Sequence, residues 1–169
     1  MNKTEDSIKK TNELLEELAK LTGLGELTLE ENDQCQLLFG KKIVLTIALD
    51  TKSDLIYLKT DVATLPATGA GTMLRFFMKE NYLGNQTRGA CFALDEENDS
   101  IILYRVLELE RMNPKAFAQR VGELIEFAEK YRNQVEESEL SGDRYSLGNE
   151  SFSQLFGNQE PTDQHWKEL

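Results

Sequence analysis

The run CQLLFGKKIVLTIALDTKSDLIYLKTDV, Cys35 to Val62, changes its apolar side every second residue. Ile43, Leu45, Ile47 and Leu49 line one side, and Val44, Thr46 and Ala48 line the other. Upstream, Leu37 and Phe39 alternate with Gln36 and Leu38; downstream, Ile56, Leu58, Thr60 and Val62 repeat the same period. A two-residue period is that of a pleated strand, so the run predicts three antiparallel strands. The short connections Gly40-Lys41-Lys42 and Asp50–Asp54 suit tight turns.

Upstream of these strands the period lengthens. Ile8, Leu14, Leu15, Leu18 and Leu21 recur at helical spacing, with Glu13, Glu16, Glu17 and Lys20 opposite, which predicts an amphipathic first helix stopped at Gly23 and Gly25. Downstream, Pro66 and the small residues ATGAGT break the sheet, and Met73, Phe76, Phe77 and Tyr82 mark a short second helix. ACFAL, the polar turn DEENDS and IILYRVLELE then form a hairpin. Its second strand carries Ile101, Leu103 and Leu107 on one face and Ile102, Tyr104 and Val106 on the other. A strand apolar on both faces is one covered on both faces. Few elements remain to supply the second cover, so a subunit partner is expected. The last helix has a clear start: Asn113 as cap, Pro114 in the first helical position, and Met112 as a staple against Phe117. Phe117, Val121, Leu124, Ile125, Ala128 and Tyr131 form its apolar stripe. The fold class is therefore α+β, in the order α-β-β-β-α-β-β-α, with an antiparallel twisted sheet packed against helices.

Composition narrows the function. The chain has 169 residues, 40% of them apolar and 29% charged, with a net charge of −11. That charge repels a polyphosphate, and no basic stripe interleaved with aromatics overrides it, so nucleic acid is not an expected partner. The longest apolar run, Ile43 to Leu49, falls far short of the ~20 residues of a spanning helix, and MNKTEDSIKK carries acidic residues and no hydrophobic leader, so a cytosolic location without membrane insertion is expected. Residues 1–135 hold 22 acids and 17 bases, whereas residues 136–169 hold 8 acids and 2 bases with few apolar residues. This predicts one folded domain over 1–135 and a flexible acidic tail over 136–169.

Reactive chemistry is scarce. Cys35 and Cys91 have no CxxC spacing and no neighbouring histidine, and read as small buried apolar residues rather than as metal ligands or a disulfide framework. The single histidine, His165, lies in the tail, where nothing would hold it beside a nucleophile. Glu16 with Glu17, and Asp95 with Glu96 and Glu97, read as solvated surface. Gly40-Lys41-Lys42 lacks the flanking residues of a phosphate loop, and Gly69 to Thr72 suits a strand-to-helix turn. No catalytic residue, metal or cofactor is expected. What remains is apolar surface: Val44, Thr46, Ala48, Leu55 and Tyr57 face away from the main alternation, and an exposed groove there would bind polypeptide.

The N-terminal leucine helix, the run Cys35–Val62, the stretch MLRFFMKENYLGNQTRGACFALDEENDSIILYRVLELE and the closing helix NPKAFAQRVGELIEFAEKYRNQV together resemble the class I type III secretion chaperones, the family of the Tir chaperone. The likeness covers roughly residues 5–135 and rests on pattern and order more than on invariant positions. It implies a homodimeric, non-enzymatic bacterial chaperone of the cytoplasm that holds the N-terminal segment of a secreted effector in extended form and presents it to the secretion ATPase. It further implies a dimer interface at Met73, Phe76 and Phe77 with Ile102 or Tyr104, and effector contacts at Leu15, Leu18, Leu38, Val44 and Thr46. The tail is longer than the family core requires; it is expected to be inert, with SFSQLF as a candidate strand for the protein's own groove. The alternatives are an adaptor of the same fold that binds a regulatory protein, and a small enzyme working with Asp and Glu alone.

Overall fold

The computed structural model describes residues 3–40, 42–84 and 86–141, leaving aside the side chains of residues 83, 140 and 141. Helix α1 spans Lys3–Thr22 and buries Ser7, Thr11, Leu14, Leu15, Leu18 and Ala19 along one side. It stops at Gly23, whose φ of 69° is the left-handed conformation a glycine enters without a Cβ penalty. Three strands follow, β1 (Gln34–Phe39), β2 (Ile43–Asp50) and β3 (Leu55–Thr64); then come helix α2 (Ala70–Glu80), strands β4 (Cys91–Asp95) and β5 (Ser100–Glu108), and helix α3 (Pro114–Ser141). Single 3-10 turns at Tyr82–Gly84 and Leu109–Arg111 follow α2 and β5.

All five strands form one antiparallel sheet in the order β1-β2-β3-β5-β4. The alternation in the sequence sets its faces. Leu37, Ile43, Leu45, Ile47, Ile56, Leu58 and Leu103 all point inward and are buried. Helix α3 lies on this inner face against β3, and α1 packs against α3. Each such side chain contributes about 1.5–3 kcal/mol of burial. The inner face is thereby spent on the protein's own core.

Asn113 caps α3 by accepting a hydrogen bond from the Ala116 amide at 2.9 Å, and Phe117, Val121, Leu124, Ala128 and Tyr131 are all buried. Phe77 of α2, Phe92 of β4 and Tyr131 of α3 meet as an aromatic cluster, with ring centroids 4.7 Å apart for Phe77–Phe92 and for Phe92–Tyr131. The Tyr131 hydroxyl donates to Glu80 Oε2 at 2.6 Å, which ties α3 to α2. Burial, together with the Glu80 carboxylate, pushes the phenol pKa up. At the far end, Lys3 Nζ lies 2.8 Å from Asp54 Oδ2, and Asp54 O accepts from the Leu109 amide, joining α1, the β2–β3 turn and the end of β5.

Two features depart from the reading of the sequence. Helix α3 continues through Glu136 to Ser141, so the boundary drawn from the charge at residue 136 falls inside a helix. His165 and SFSQLF lie outside the described residues. On β5 the inner face is not wholly apolar: Arg105 points inward and is buried, bonded to Glu123 of α3.

Candidate functional site

The register defines the opposite face of the sheet. One row runs Gln34, Ala48, Tyr57, Val106, and the next runs Gln36, Thr46, Lys59, Tyr104, Cys91; further along, Leu38 stands beside Val44, and Asp61 beside Ile102 and Ala93. Leu38 is 57% exposed and Val44 45%, and Tyr57 and Val106 are exposed with them. The exposed apolar residues form two pairs, Leu38 with Val44 and Tyr57 with Val106, on either side of the row Gln36, Thr46, Lys59, Tyr104, and apolar side chains exposed on one sheet face mark an interaction surface. A groove of about 500 Å³ runs across it, lined by Gln34, Gln36, Val44, Thr46, Lys59, Asp61, Asp95 and Ile102 among others. Its polar rim is fixed: Ser100 Oγ donates to Asp61 Oδ1 at 3.0 Å, and a hydrogen bond from Asn98 holds the Asp95 carboxyl below its ordinary value.

The groove adjoins a free strand edge. β1 ends the sheet, and among the described residues no strand pairs with its outer side. Unpaired amides and carbonyls along such an edge are a template for an added extended chain.

The sequence-predicted residues divide between the two sides of the sheet. Leu38, Val44, Thr46, Ile102 and Tyr104 share the outer face. Leu15 and Leu18 do not join them: they are 0% and 2% exposed and fill the core on the inner side, so a ligand reaches neither without opening that core. The surface α1 does offer is a different one. Ile8, Asn12, Glu13 and Glu16 face the extended residues Glu26, Leu27 and Thr28 across a cavity of about 550 Å³.

Helix α2 divides in the same way. Met73 is 0% exposed and Phe77 2%, because both serve the aromatic core; Phe76 is half-buried, edge-on to Phe77 at 5.0 Å. The exposed ridge is instead half-buried Leu74 and exposed Met78 of α2, continued by exposed Tyr82 in the 3-10 turn that follows. The helical pattern picked out Tyr82 but neither Leu74 nor Met78. The ridge's signal is the run of apolar residues Met73, Leu74, Phe76, Phe77 and Met78, more than one helical stripe can bury.

Among the described residues no group of three or more His, Cys, Asp or Glu is placed to hold a metal ion. Cys35 is buried, and desolvation pushes its thiol pKa up, away from the reactive thiolate. Among the described residues no helix is long and apolar enough to cross a membrane. The site offers an apolar face, a groove and a strand edge.

Known proteins share this architecture. The model of the Tir chaperone protein (CesT) family matches residues 13–132. The transcriptional anti-antiactivator ExsC of Pseudomonas aeruginosa is 26% identical over 124 residues, 73% of this chain and 84% of that protein. Among solved structures, the ExsC–ExsE complex has a chain similar at a TM-score of 0.66 and 24% identity, covering 75% of this chain and 93% of that one. The HopA1–SchA chaperone–effector complex gives 0.65 at 14% identity, with 75% and 96% covered. The Yersinia pestis type III secretion chaperone SycH, solved with a fragment of YscM2, gives 0.57 at 20% identity, with 71% and 98% covered.

Proposed function

The chain belongs to the Tir chaperone protein (CesT) family, a family of non-enzymatic chaperones, and from that premise we propose that it binds the N-terminal segment of one or more secreted effectors in extended form. The observation that carries this reading is the uncovered outer face of the sheet beside the free edge of β1. An extended client gains main-chain hydrogen bonds along β1 and sets alternate side chains against exposed Leu38 and Val44, with Thr46, only 7% exposed, in the groove lining between strands, without folding. A client held in this way stays soluble and ready for export.

The functional unit in this reading is a homodimer. The α2 ridge of Leu74, Met78 and Tyr82, with Phe76 at its flank, supplies one contact, and Ile102 and Tyr104 on the β5 half of the outer face supply the other. Strands in a sheet lie about 4.8 Å apart, so β5 and β2, separated by β3, are about 10 Å apart. Client groove and dimer seam thus adjoin, and one client can run from one protomer to the next. The dimer works in the bacterial cytoplasm and hands its cargo to the secretion ATPase. Its acidic body, at −11 per chain, keeps it soluble and opposes basic client segments.

A second reading has its own support. The curated relative at 26% identity is a transcriptional anti-antiactivator, which points to a regulatory protein as a partner of the same surface. Purification of the tagged chain from its native host separates the two, with mass spectrometry for the partner and light scattering for stoichiometry. Two copies with one secreted protein, protease-protected only near that protein's N-terminus, are expected for the chaperone. Recovery with a regulator alone would move the assignment to the adaptor.

A further inference from the structure

A second stretch of strand edge is left unpaired on the side of the sheet away from β1. Strand β4 is shorter than β5: their pairing stops at Cys91 opposite Tyr104, while β3 pairs with β5 as far as Glu108. Residues Arg105–Glu108 therefore have a strand partner on one side only. Beside that open edge is a hollow of about 260 Å³ lined by Arg88, Val106, Glu108, Arg111, Met112 and Arg120 among others.

Its charge runs against that of the chain. Four guanidiniums, from Arg88, Arg105, Arg111 and Arg120, share two carboxylates, those of Glu108 and Glu123. Arg105 is consumed: it donates to Glu123 at 2.8 Å and to the carbonyls of Thr87 and Arg88 at 3.0 and 2.9 Å, which pins the loop before β4 against β5. The other three are 42–76% exposed: Arg111 pairs with Glu108 at 2.9 Å and Arg120 with Glu123 at 3.0 Å, while Arg88 reaches no closer than 3.7 Å to Glu123. By contrast, the cavity along α1 sets Lys9 against Glu5, Glu13, Glu16 and Glu26, and the outer groove sets Lys59 against Asp61 and Asp95.

We propose that the open edge of β5 at Val106–Glu108, ringed by Arg88, Arg111 and Arg120, docks an extended acidic peptide segment of a partner protein. The strand edge offers main-chain groups that a small anion leaves unused, and the three guanidiniums form charge-assisted hydrogen bonds with carboxylates on alternate residues of an added strand. Nucleic acid is disfavoured by the charge of the body around the patch. The site is separate from the β1 edge, so one dimer engages a basic or apolar client segment at β1 and an acidic segment at β5.

The test uses the full chain and three fluorescein-labelled hexapeptides, alternating Val with Glu, with Gln or with Lys, read by fluorescence anisotropy. The Glu peptide is expected to bind at least about tenfold tighter than the Gln peptide, with the gap closing as salt rises. Arg111→Gln combined with Arg120→Gln should remove that advantage; Arg111→Gln alone, at a position 76% exposed, should lower it without touching the fold. Amide NMR shifts on adding the Glu peptide should centre on residues 105–108. Equal binding of the Glu and Gln peptides, or shifts confined to β1, would overturn the proposal. So would a gain of about tenfold on removing residues 142–169, because that would assign the site to the chain's own acidic segment.

Discussion

Replacing Glu123 by glutamine removes the carboxylate on which three arginines converge. Its side chain is 8% exposed and that of Arg105 is 4%; Arg105 and Arg120 lie 2.8 and 3.0 Å from Oε2, and Gln119 donates to Oε1 at 3.0 Å. Glutamine keeps an acceptor of nearly the same shape but leaves the Arg105 charge buried without its counterion. Breaking a buried pair from one side costs about 3–5 kcal/mol, and the retained acceptor places Glu123→Gln at the lower end, about 3 kcal/mol. For the roughly 140 described residues, an unfolding entropy of about 2.1 cal/mol/K per residue turns that into a drop in Tm of about 10 °C. Acid titration gives a second arm. Desolvation raises the Glu123 pKa, but the hydrogen bonds from Arg105, Gln119 and Arg120 outweigh it and hold the carboxyl down at about 2, against an ordinary 4.5. A depressed carboxylate pKa contributes stability that is fully present above pH 4.5 and is lost as the pH falls through about 2. The wild type should lose about 3 kcal/mol from this group across that window, and the variant should lack this component. Thermal melts by circular dichroism at pH 7 and urea titrations from pH 6 down to about 2, at equal protein concentration, read both effects. A fall in Tm of less than about 3 °C, or the same acid limb in both proteins, would refute the reasoning.

Three further outcomes follow from burial and exposure. Val44→Asp, at a position 45% exposed on the outer face, should leave Tm within about 2 °C and weaken client binding about tenfold, as read by calorimetry with the recovered client segment. Leu15→Ala should do the reverse: a stability loss of about 3 kcal/mol in urea unfolding, because a fully buried leucine leaves a cavity, with client affinity unchanged once the protein is folded. Met78→Glu should convert a dimer to a monomer in light scattering at micromolar concentration with the fold intact, whereas Phe77→Asp should unfold the chain by placing a charge in the aromatic core.

Strand and helix order was legible because the periods in the sequence are clean. Ile43 to Leu49 alternates as a strand does, and Asn113-Pro114 followed by the apolar stripe Phe117 to Tyr131 marks a helix start. The pairing of β3 with β5 was not legible, since it closes a connection that includes α2 and β4, and nothing local encodes that contact. Val44 and Thr46 are legible as positions that the core side of their strand does not use, whereas Leu38 is a candidate only through the family resemblance. Leu15 and Leu18 show the limit of pattern: a leucine stripe on a helix looks the same whether it faces a core or a client, and here the protein's own core occupies it, with α1 packed against α3. Met73 and Phe77 are buried within the protomer, and the aromatic cluster that takes in Phe77 draws on β4 and α3, which no local pattern shows. Arg105 carried no local signal. Its meaning depends on Glu123, eighteen residues away on another element.

The most direct test of the outer edge as the client surface is hydrogen–deuterium exchange on the full chain, with and without the N-terminal segment of its co-purified partner. Slowed exchange at residues 34–39, the free edge of β1, is expected on binding. Unchanged exchange there, with protection confined to α1 and residues 24–30, would contradict it.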